Sequence, residues 1–283
     1  MPSRRLSSDQ QTALFQPPPG AQPLAARMRP RNLAEYVGQE HLVGEHGPLR
    51  RSVERGYLGS ILLWGPPGTG KTSLARLLAE AIGAEFMSLS AVMSGVADIR
   101  STVAAARERL SLDGARSVLF IDEIHRFNKS HQDGLLPHVE DGTVILIGAT
   151  TENPYFELNS ALLSRLRVWR LEPLSDQDVR IVGQRALDDP ERGLAGPLGP
   201  TGGVALPEDA FEHLVSLAGG DARQALNVLE GATALADSAR AVAPSSTLSA
   251  WRASPPARPT RCSNASSGRR TPPSGPSGPA RPR

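Results

Sequence analysis

The chain has 283 residues, of which 39% are hydrophobic and 21% are charged, so it can bury the cores of one or two domains. Its single cysteine, Cys262, excludes an intrachain disulfide and a cysteine-rich metal site, which is typical of a reducing compartment. No apolar run approaches the roughly 18 residues of a membrane helix, and the N-terminus does not resemble a secretory signal. We therefore expect a cytoplasmic protein that makes no membrane contact.

The formal charge of +2 is unevenly distributed along the chain. Residues 239–283 contain eight arginines and no acidic residue, and subtracting these eight charges leaves −6 for residues 1–238. This stretch is rich in arginine, proline and serine and has no helical or strand periodicity, so we expect a disordered tail. It is either a basic arm that contacts nucleic acid or a merely solvated C-terminus, and its composition favours the second. Residues 1–23 are expected to be a flexible N-terminal segment.

Between these ends, apolar runs alternate with amphipathic stretches, which is the pattern of parallel strands connected by helices. We predict five strands, at residues 60–64, 85–89, 117–121, 144–148 and 168–171. The helices that connect them are predicted at residues 71–82, 96–110, 130–139 and 159–165. The sequence therefore predicts an α/β domain over residues 24–173, with a five-stranded parallel sheet flanked by helices.

The strand pattern stops after Pro173, and the residues that follow favour helices alone. We predict three helices, at residues 175–187, 207–217 and 221–237. Ser175 is the expected N-cap of the first helix, and Pro207 is expected in the first turn of the second. A stretch rich in glycine and proline, residues 188–203, connects these two helices. We predict a small all-α domain over residues 174–238, which we call the lid.

Residues 65–72, GPPGTGKT, match the pattern G-x-x-x-x-G-K-[ST] between an apolar strand and a helix, where a phosphate loop requires it. Glycines in such a loop let successive N–H groups point at phosphate oxygens. Lys71 is one of only two lysines among 31 basic residues, and its compact ammonium can reach between two phosphates as a point charge. Thr72 would supply a hydroxyl to Mg²⁺. The candidate nucleotide-binding residues of the loop are Gly65, Pro66, Pro67, Gly68, Thr69, Gly70, Lys71 and Thr72.

Two carboxylates follow the apolar run SVLFI and are expected at the carboxyl edge of the sheet, where open α/β sheets bind ligands. Asp122 would hold Mg²⁺ through water, and Glu123 would polarise the attacking water as a general base. A strand that ends in Asp-Glu can also be a solvated turn. The phosphate loop upstream favours the functional interpretation.

The next strand, TVILIGATT, ends in two threonines at the same expected edge. A hydroxyl at this position could contact a terminal phosphate or the attacking water. We favour Thr151 over Thr150 for this role.

Three histidines follow the carboxylate pair, at positions 125, 131 and 138. Their spacings of six and seven residues do not match the i, i+4 spacing of helical metal ligands. We therefore predict single polar contacts for His125, His131 and His138 and no metal site.

Four stretches, in this order, resemble the AAA+ ATPases, and closely the RarA family of replication-associated recombination proteins, relatives of the Werner-helicase-interacting ATPases. They are GPPGTGKT, LFIDEIHRFNKSHQDGLLPHVEDG, IGATTENPYFELNSALLSR and GGDARQALN. The resemblance extends over residues 24–237. It implies an ATP hydrolase that uses ATP and Mg²⁺, a DNA-dependent ATPase of the clamp-loader clade acting at stalled or gapped replication forks in recombination and repair.

The resemblance also implies roles for two arginines that spacing alone does not show. Arg165, in LLSRL, matches an arginine finger that one subunit inserts into the ATP site of its neighbour, and Arg167 and Arg170 are competing candidates. Arg223, in GGDARQALN, matches an arginine that reaches from the lid to the γ-phosphate.

The upstream segment PLAARMRPRNLAEYVGQEHLV resembles the part of the family that holds the nucleotide base. This implies that Tyr36, Val37 and Gly38 contact adenine. Plain core packing would explain apolar residues at these positions equally well.

The family implies DNA as a partner, at junctions between single and double strands, ends or gaps, together with single-stranded-DNA-binding and other replication proteins. It also implies a homo-oligomer and a nucleoid-associated location. RarA-like proteins continue past the lid into a helical C-terminal domain that forms tetramers, and here residues 239–283 stand in its place. ATP binding is therefore expected more firmly than assembly. One alternative is an ATP-binding interaction module with little turnover, and another is a branch-migration-type AAA+ motor, although we expect no winged-helix domain.

Overall fold

A computed structural model describes residues 22–196 and 204–242, with the side chains of the last helix described to residue 236. The predicted flexible segment up to residue 21, part of the predicted linker and the predicted tail from residue 243 lie outside the described residues. No helix in the described ranges is long and apolar enough to cross a membrane.

The five predicted strands form one parallel sheet, which confirms the predicted fold class. They are β1 (Ile61–Trp64), β2 (Glu85–Ser90), β3 (Ser117–Asp122), β4 (Ile145–Thr150) and β5 (Arg167–Arg170), in the spatial order β2-β3-β4-β1-β5. The register pairs Leu63 of β1 with Ala149 of β4, and Phe120 of β3 with Ile147 of β4. The central strands read as continuous apolar runs because both faces of the sheet are covered.

Alternate residues of β3 enter two different cores, as the two-residue period of a strand requires. Val118 and Phe120 belong to the core on one face, whereas Leu119 and Ile121 belong to the core on the other. All four side chains are fully buried. The strand that ends in the candidate carboxylates is therefore held from both sides.

The chain covers the sheet with helices on both faces. Three short helices precede the sheet, α1 (Leu24–Arg27), α2 (Glu40–Val43) and α3 (Pro48–Glu54), and the sequence analysis predicted none of them. The helices between strands are α4 (Lys71–Ala81), α5 (Val96–Asp113), α6 (Lys129–Glu140), α7 (Pro154–Glu157) and α8 (Ser160–Leu163), and a 3₁₀ turn spans Ile124–Arg126. The helix predicted at residues 159–165 is shorter than expected, because the side chain of Asn159 caps it and it ends at Leu163.

Three helices follow the sheet, as predicted for the lid. They are α9 (Asp176–Asp188), α10 (Glu208–Ala218) and α11 (Ala222–Val242). Ser175 caps α9 as predicted, by accepting a hydrogen bond from the backbone N–H of Asp178. Pro207 is the N-cap residue of α10 and not part of its first turn. Helix α11 includes the first four residues of the stretch predicted as a tail.

The first half of the predicted linker is packed against the lid. Leu194 is 3% exposed within the lid core, and its N–H donates to the carbonyl of Ala186 at 2.8 Å. A β-carbon at Gly193 would lie 2.4 Å from that same carbonyl oxygen, so the close approach requires glycine. Residues 189–196 are therefore a folded part of the lid.

Replacing Phe120 by alanine is expected to lower the free energy of unfolding by about 3–5 kcal/mol, because Phe120 is fully buried and its removal leaves a cavity. The matched control is Phe156→Ala, since Phe156 is 83% exposed and its loss should change stability by less than about 0.5 kcal/mol. Urea unfolding followed by circular dichroism measures both. Equal midpoints for the two variants would contradict the packing described for β3.

Candidate active site

The phosphate loop lies between β1 and α4, and two of its glycines are required by their surroundings. Gly68 and Gly70 have φ angles of +68° and +88°, in the left-handed region that side chains disfavour. A β-carbon at Gly70 would lie 2.8 Å from the hydroxyl of Tyr36, and one at Gly68 would overlap the carboxylate of Asp221. The loop can therefore approach both the upstream segment and the lid only because these positions lack side chains.

Lys71 is the first residue of α4, and its ammonium group is buried beneath the loop. Its side chain donates to the carbonyls of Gly65 and Pro66, each at 2.7 Å, and the residue is 8% exposed. Burial lowers the pKa of Lys71, although the carboxylates of Glu123 and Asp122 oppose that shift. The ammonium is thus held at the base of the loop, where a phosphate could replace the two carbonyl oxygens as its partner.

Asp122 ends β3, and Glu123 follows it in a strained backbone conformation. Glu123 has a φ angle of 52°, which is uncommon for a residue with a side chain, and such strained residues cluster at functional sites. Burial raises the pKa of Asp122, and the neighbouring charge of Glu123 raises it further, against the opposing charges of Lys71 and Arg223. The sheet therefore holds Asp122 beside Glu123 at a place that disfavours the charge of Asp122.

The two threonines at the end of β4 have different partners. Thr151 donates from its hydroxyl to the Glu123 carboxylate at 3.3 Å. Thr150 is fully buried and shares a hydrogen bond of 2.9 Å with Nδ1 of His125, an atom that also lies 3.2 Å from the Glu123 carboxylate. The side chain that faces the candidate catalytic residue from β4 is thus Thr151, the one favoured from the sequence, and Thr150 supports His125.

The remaining histidines lie outside this arrangement. The ring of His131 stacks on Phe127 at 5.1 Å between centroids. Among the described residues, no group of three His, Cys, Asp or Glu side chains is placed to hold a metal ion.

These elements surround a cavity of about 460 Å³. It is bounded by the phosphate loop, the carboxyl ends of β3 and β4, the segment that contains Tyr36, and the lid. Twelve of the predicted site residues line it: Tyr36, Val37, Pro67, Gly68, Thr69, Gly70, Lys71, Thr72, Asp122, Glu123, Thr151 and Arg223. The folding of the chain therefore brings together residues that are separated by up to 187 positions.

Three predicted nucleotide-binding residues are not among those that line the cavity. Gly65 and Pro66 support Lys71 through their carbonyls. Gly38 has a φ angle of +78°, and a β-carbon there would lie 2.6 Å from the side chain of Leu174. Its place in the fold is explained by packing between the upstream segment and the start of the lid.

The predicted arginine finger lies away from this chain's own cavity. The guanidinium of Arg165 forms an ion pair with Glu140 and donates to the carbonyl of Ala161 at 2.6 Å. The competing candidates stack on tryptophan rings, Arg167 on Trp169 and Arg170 on Trp64. None of the three arginines lines the cavity of the same chain.

Six polar residues of the cavity were not predicted from the sequence. They are Arg29, Glu35, Ser73, Arg185, Arg192 and Asn227. Burial lowers the pKa of Arg29, and the nearby charges of Arg76 and Arg223 lower it further. Arg29 lies within the stretch that resembles a base-binding segment, and this is its signal in the sequence. No local sequence pattern indicates Arg185, Arg192 or Asn227.

The chain is similar to known proteins over most of its length. Residues 61–173 match the family model of the ATPase family associated with various cellular activities (AAA). Replication-associated recombination protein A of Escherichia coli K12 is 53% identical over 209 residues, which are 74% of this chain and 45% of that protein. ATPase WRNIP1 of Dictyostelium discoideum is 44% identical over 208 residues, 74% of this chain and 23% of that protein. The chain therefore contains an AAA domain, and over about three quarters of its length it is similar to AAA+ ATPases of the RarA type.

A solved structure gives the same fold. The Thermotoga maritima RuvB Holliday junction branch migration motor has a TM-score of 0.57 and 29% identity, covering 72% of this chain and 64% of that one. The family model and the fold are those of P-loop ATPases. Because the chain spans about half the length of the bacterial relatives it matches, the roles of individual residues stay predictions.

The residues present fit a magnesium nucleotide. The loop offers backbone N–H groups and one ammonium to phosphates, and Thr72 and Asp122 offer the oxygen ligands that Mg²⁺ prefers. A side chain at Gly68 or Gly70 would obstruct this cradle.

Replacing Asp122 by asparagine is expected to raise the thermal unfolding temperature at pH 7.5 while Mg²⁺-dependent ATP hydrolysis falls by about 10²-fold or more. The pKa of Asp122 is raised in the folded protein, so its ionised form destabilises the fold above the ordinary pKa of an aspartate. The gain in stability should therefore shrink as pH falls through the raised value toward the ordinary one. Differential scanning calorimetry across this range measures it.

The control for this variant is Glu80→Gln, on the exposed side of α4. It removes one negative charge without burial, so its unfolding temperature should stay close to that of the parent chain. A lower unfolding temperature for Asp122→Asn at pH 7.5 would contradict the assignment of burial as the cause of the shift.

Proposed function

We propose that this chain is a Mg²⁺-dependent ATP hydrolase that acts on DNA in replication-associated recombination and repair. The observation that supports this most is the convergence of Lys71, the Asp122–Glu123 pair and Arg223 on one cavity beside a phosphate loop. ATP is the proposed ligand because the family consists of P-loop ATPases and because the cavity continues from the loop to the apolar wall at Val37.

In the proposed mechanism, the loop N–H groups and Lys71 bind the β- and γ-phosphates. Thr72 and Asp122 would hold Mg²⁺, which would neutralise charge on the phosphate oxygens. Glu123 accepts a proton from the attacking water, and Thr151, which donates to that carboxylate, orients it. The apolar side of the cavity, with Tyr36 and Val37, would hold the base.

Arg223 connects this chemistry to the lid. It lies in the first turn of α11 and lines the cavity, and the N–H of its neighbour Ala222 donates to the carbonyl of Gly68 at 3.3 Å. A guanidinium in this position can bind a γ-phosphate and lose that partner after hydrolysis. The lid would then adopt different positions before and after turnover.

Replacing Glu123 by glutamine is expected to lower the rate of ATP hydrolysis by about 10²- to 10⁴-fold with little change in nucleotide affinity, because only the general base is lost. Phosphate release and the titration of a fluorescent ATP analogue measure the two quantities. Glu152→Gln is the matched control, since Glu152 is exposed at the end of the neighbouring strand, and it should retain the parental rate. Activity of Glu123→Gln within about threefold of the parent would refute the role of Glu123.

DNA is the proposed partner because the names of the relatives refer to replication-associated recombination. The proposed DNA structures are ends, gaps and junctions between single and double strands, in the cytoplasm at the chromosome, with replication proteins nearby. Since residues 1–238 carry a formal charge of −6, binding would depend on local basic groups and weaken steeply with salt.

We expect gapped or blunt-ended duplex DNA to raise the ATPase rate severalfold over the rate without DNA. The experiment compares single-stranded, nicked, gapped, blunt and four-way-junction DNA at two salt concentrations. Stimulation by the four-way junction alone would favour the branch-migration motor, a candidate supported by the likeness to RuvB. An unchanged rate with every DNA would refute DNA dependence.

The position of Arg165 supports a second candidate, an ATP-binding interaction module with little turnover. Arg165 is paired with Glu140 of its own chain and does not line its own cavity, so it can serve an ATP site only in a neighbouring subunit. A chain that does not assemble would then bind ATP and hydrolyse it slowly.

Mixing two inactive variants distinguishes the candidates. Arg165→Ala keeps an intact Glu123, and Glu123→Gln keeps an intact finger, so mixed oligomers of the two should recover a measurable fraction of the parental ATPase rate. Light scattering with ATP reports the assembly state of each mixture. No recovery, together with monomers that hold stoichiometric ATP, would favour the interaction module.

A further inference from the structure

The chain that leaves α9 folds into a turn that fixes one guanidinium group. Asp189 organises this turn, since its carboxylate accepts from the backbone N–H groups of Glu191 and Arg192 at 2.9 and 2.8 Å. The same carboxylate binds the side chain of Arg192, with Nε and Nη2 each 2.9 Å from Oδ2. The direction of the Arg192 side chain is therefore set by its own turn.

The free end of that guanidinium reaches the segment upstream of the sheet. Nη1 of Arg192 donates to the Glu35 carboxylate at 3.1 Å and to the carbonyl of Arg29 at 3.3 Å. The Glu35 carboxylate also accepts from the backbone N–H of Arg31 at 3.1 Å. One side chain of the lid thus contacts both ends of residues 29–35.

This contact is partly removed from water, unlike the nearby ion pair between Arg31 and Glu191. The side chains of Arg192 and Asp189 are 18% and 17% exposed, and that of Glu35 is 32% exposed. Glu191, one residue away, pairs with Arg31 through side chains that are 69% and 54% exposed. The interaction of one guanidinium with two partly buried carboxylates is stronger than a surface ion pair, which contributes little to stability.

Both carboxylates are set to stay ionised. The N–H of Arg31 and the guanidinium of Arg192 lower the pKa of Glu35. Burial alone would raise the pKa of Asp189, but the hydrogen bonds from Arg192 and Glu191 outweigh it and the pKa is lowered. Arg192 is therefore paired on both sides at neutral pH.

The residues held in this way form one wall of the cavity. Arg29, Pro30, Tyr36 and Val37 line it, and they belong to or directly follow the segment that Arg192 contacts. A second lid arginine, Arg185, donates to the carbonyl of Glu35 at 2.5 Å from the same side. The wall proposed to hold the base thus depends on contacts with the lid.

We propose that Arg192 is a positioning residue for ATP binding: it fixes residues 29–37 against the lid so that the wall is formed before the nucleotide arrives. This inference rests on the proposed function. It assigns to the stretch between α9 and α10 a role in nucleotide affinity and not in the chemical step, because Arg192 contacts the wall and none of the residues assigned to catalysis.

The test replaces Arg192 by methionine, which keeps the apolar stem and removes the guanidinium. We expect the KM for ATP and the Kd of a fluorescent ATP analogue to rise about tenfold, the order expected for losing one charged hydrogen bond, with kcat within about twofold of the parent. The KM and Kd of Arg192→Lys should lie between those of the parent and those of Arg192→Met. One ammonium cannot bind Asp189 and Glu35 together as the forked guanidinium does. Glu191→Gln, which removes only the exposed pair, should leave both constants within about twofold.

A double-mutant cycle with Glu35→Gln separates positioning from direct contact with the nucleotide. If Arg192 acts through Glu35, adding Arg192→Met to Glu35→Gln should raise the Kd little further. Fully additive effects would overturn the proposal in this form, because Arg192 would then act independently of the Glu35 contact that is proposed to fix the wall.

Two further results would overturn it. One is a Kd within twofold of the parent for Arg192→Met. The other is a loss of kcat and of unfolding temperature at unchanged KM, which would mean a purely structural role. Binding is measured in the Glu123→Gln background, in which hydrolysis is slow and does not obscure the Kd. A parent chain that binds no ATP would refute the proposed function itself.

Discussion

The burial of one ammonium group sets the requirements for the rest of the site. Lys71 is 8% exposed, and a charge so removed from water destabilises the fold unless polar groups surround it. The carbonyls of Gly65 and Pro66 supply two hydrogen bonds, and the field of Asp122 and Glu123 supplies opposite charge. The loop must fold back over its own lysine, and β3 must end beside it. Both conditions follow from the parallel sheet, whose strand ends meet at one edge.

The carboxylates that stabilise Lys71 are themselves in an unfavourable place. The pKa of Asp122 is raised by burial and by Glu123, and the backbone of Glu123 is left-handed. The fold can hold this arrangement because β3 is fully buried on both faces, so its end has little freedom to relax. A divalent cation would supply opposite charge to these carboxylates, and a triphosphate would supply oxygen acceptors to Lys71 and to the N–H groups of the loop. The same strain that lowers the stability of the free protein therefore favours the bound state.

The sheet and the phosphate loop could be predicted because their signals are local. Five apolar runs, separated by helical patterns, suffice to place the strands, and the loop pattern with its scarce lysine places Lys71. Four short helices escaped prediction, since α1, α2, α3 and α7 are too short to show a period. Thr151 could be favoured over Thr150, but their partners, Glu123 and His125, are visible only in three dimensions.

The lid residues of the cavity could not be predicted for a different reason. Arg185 and Arg192 contact Glu35, which is about 150 positions away in the chain, and no local pattern encodes a contact of that separation. The composition of residues 188–203 indicates a flexible connection, because glycine and proline are common in linkers. Here two of those glycines allow close backbone approaches instead, at Gly193 beside Ala186 and at Gly196 beside Pro190. Composition alone does not distinguish a loose linker from a tightly folded turn.

Three contacts determine what motion of the lid can do: one lies within the lid, and two connect the lid to the nucleotide site. The entrance of the lid and the start of α11 are tied together, since Leu174 donates to the carbonyl of Gly220 at 3.0 Å. The start of α11 is tied to the phosphate loop through Ala222 and Gly68, and the turn after α9 is tied to the wall of the cavity through Arg192. The first two contacts are made by the main chain, and the second involves the phosphate loop itself, so they form a fixed pivot. The third lies farther along the lid and is made by side chains, those of Arg192 and Arg185, so a rotation of the lid about this pivot would open the wall of the cavity before it disturbed the phosphate loop.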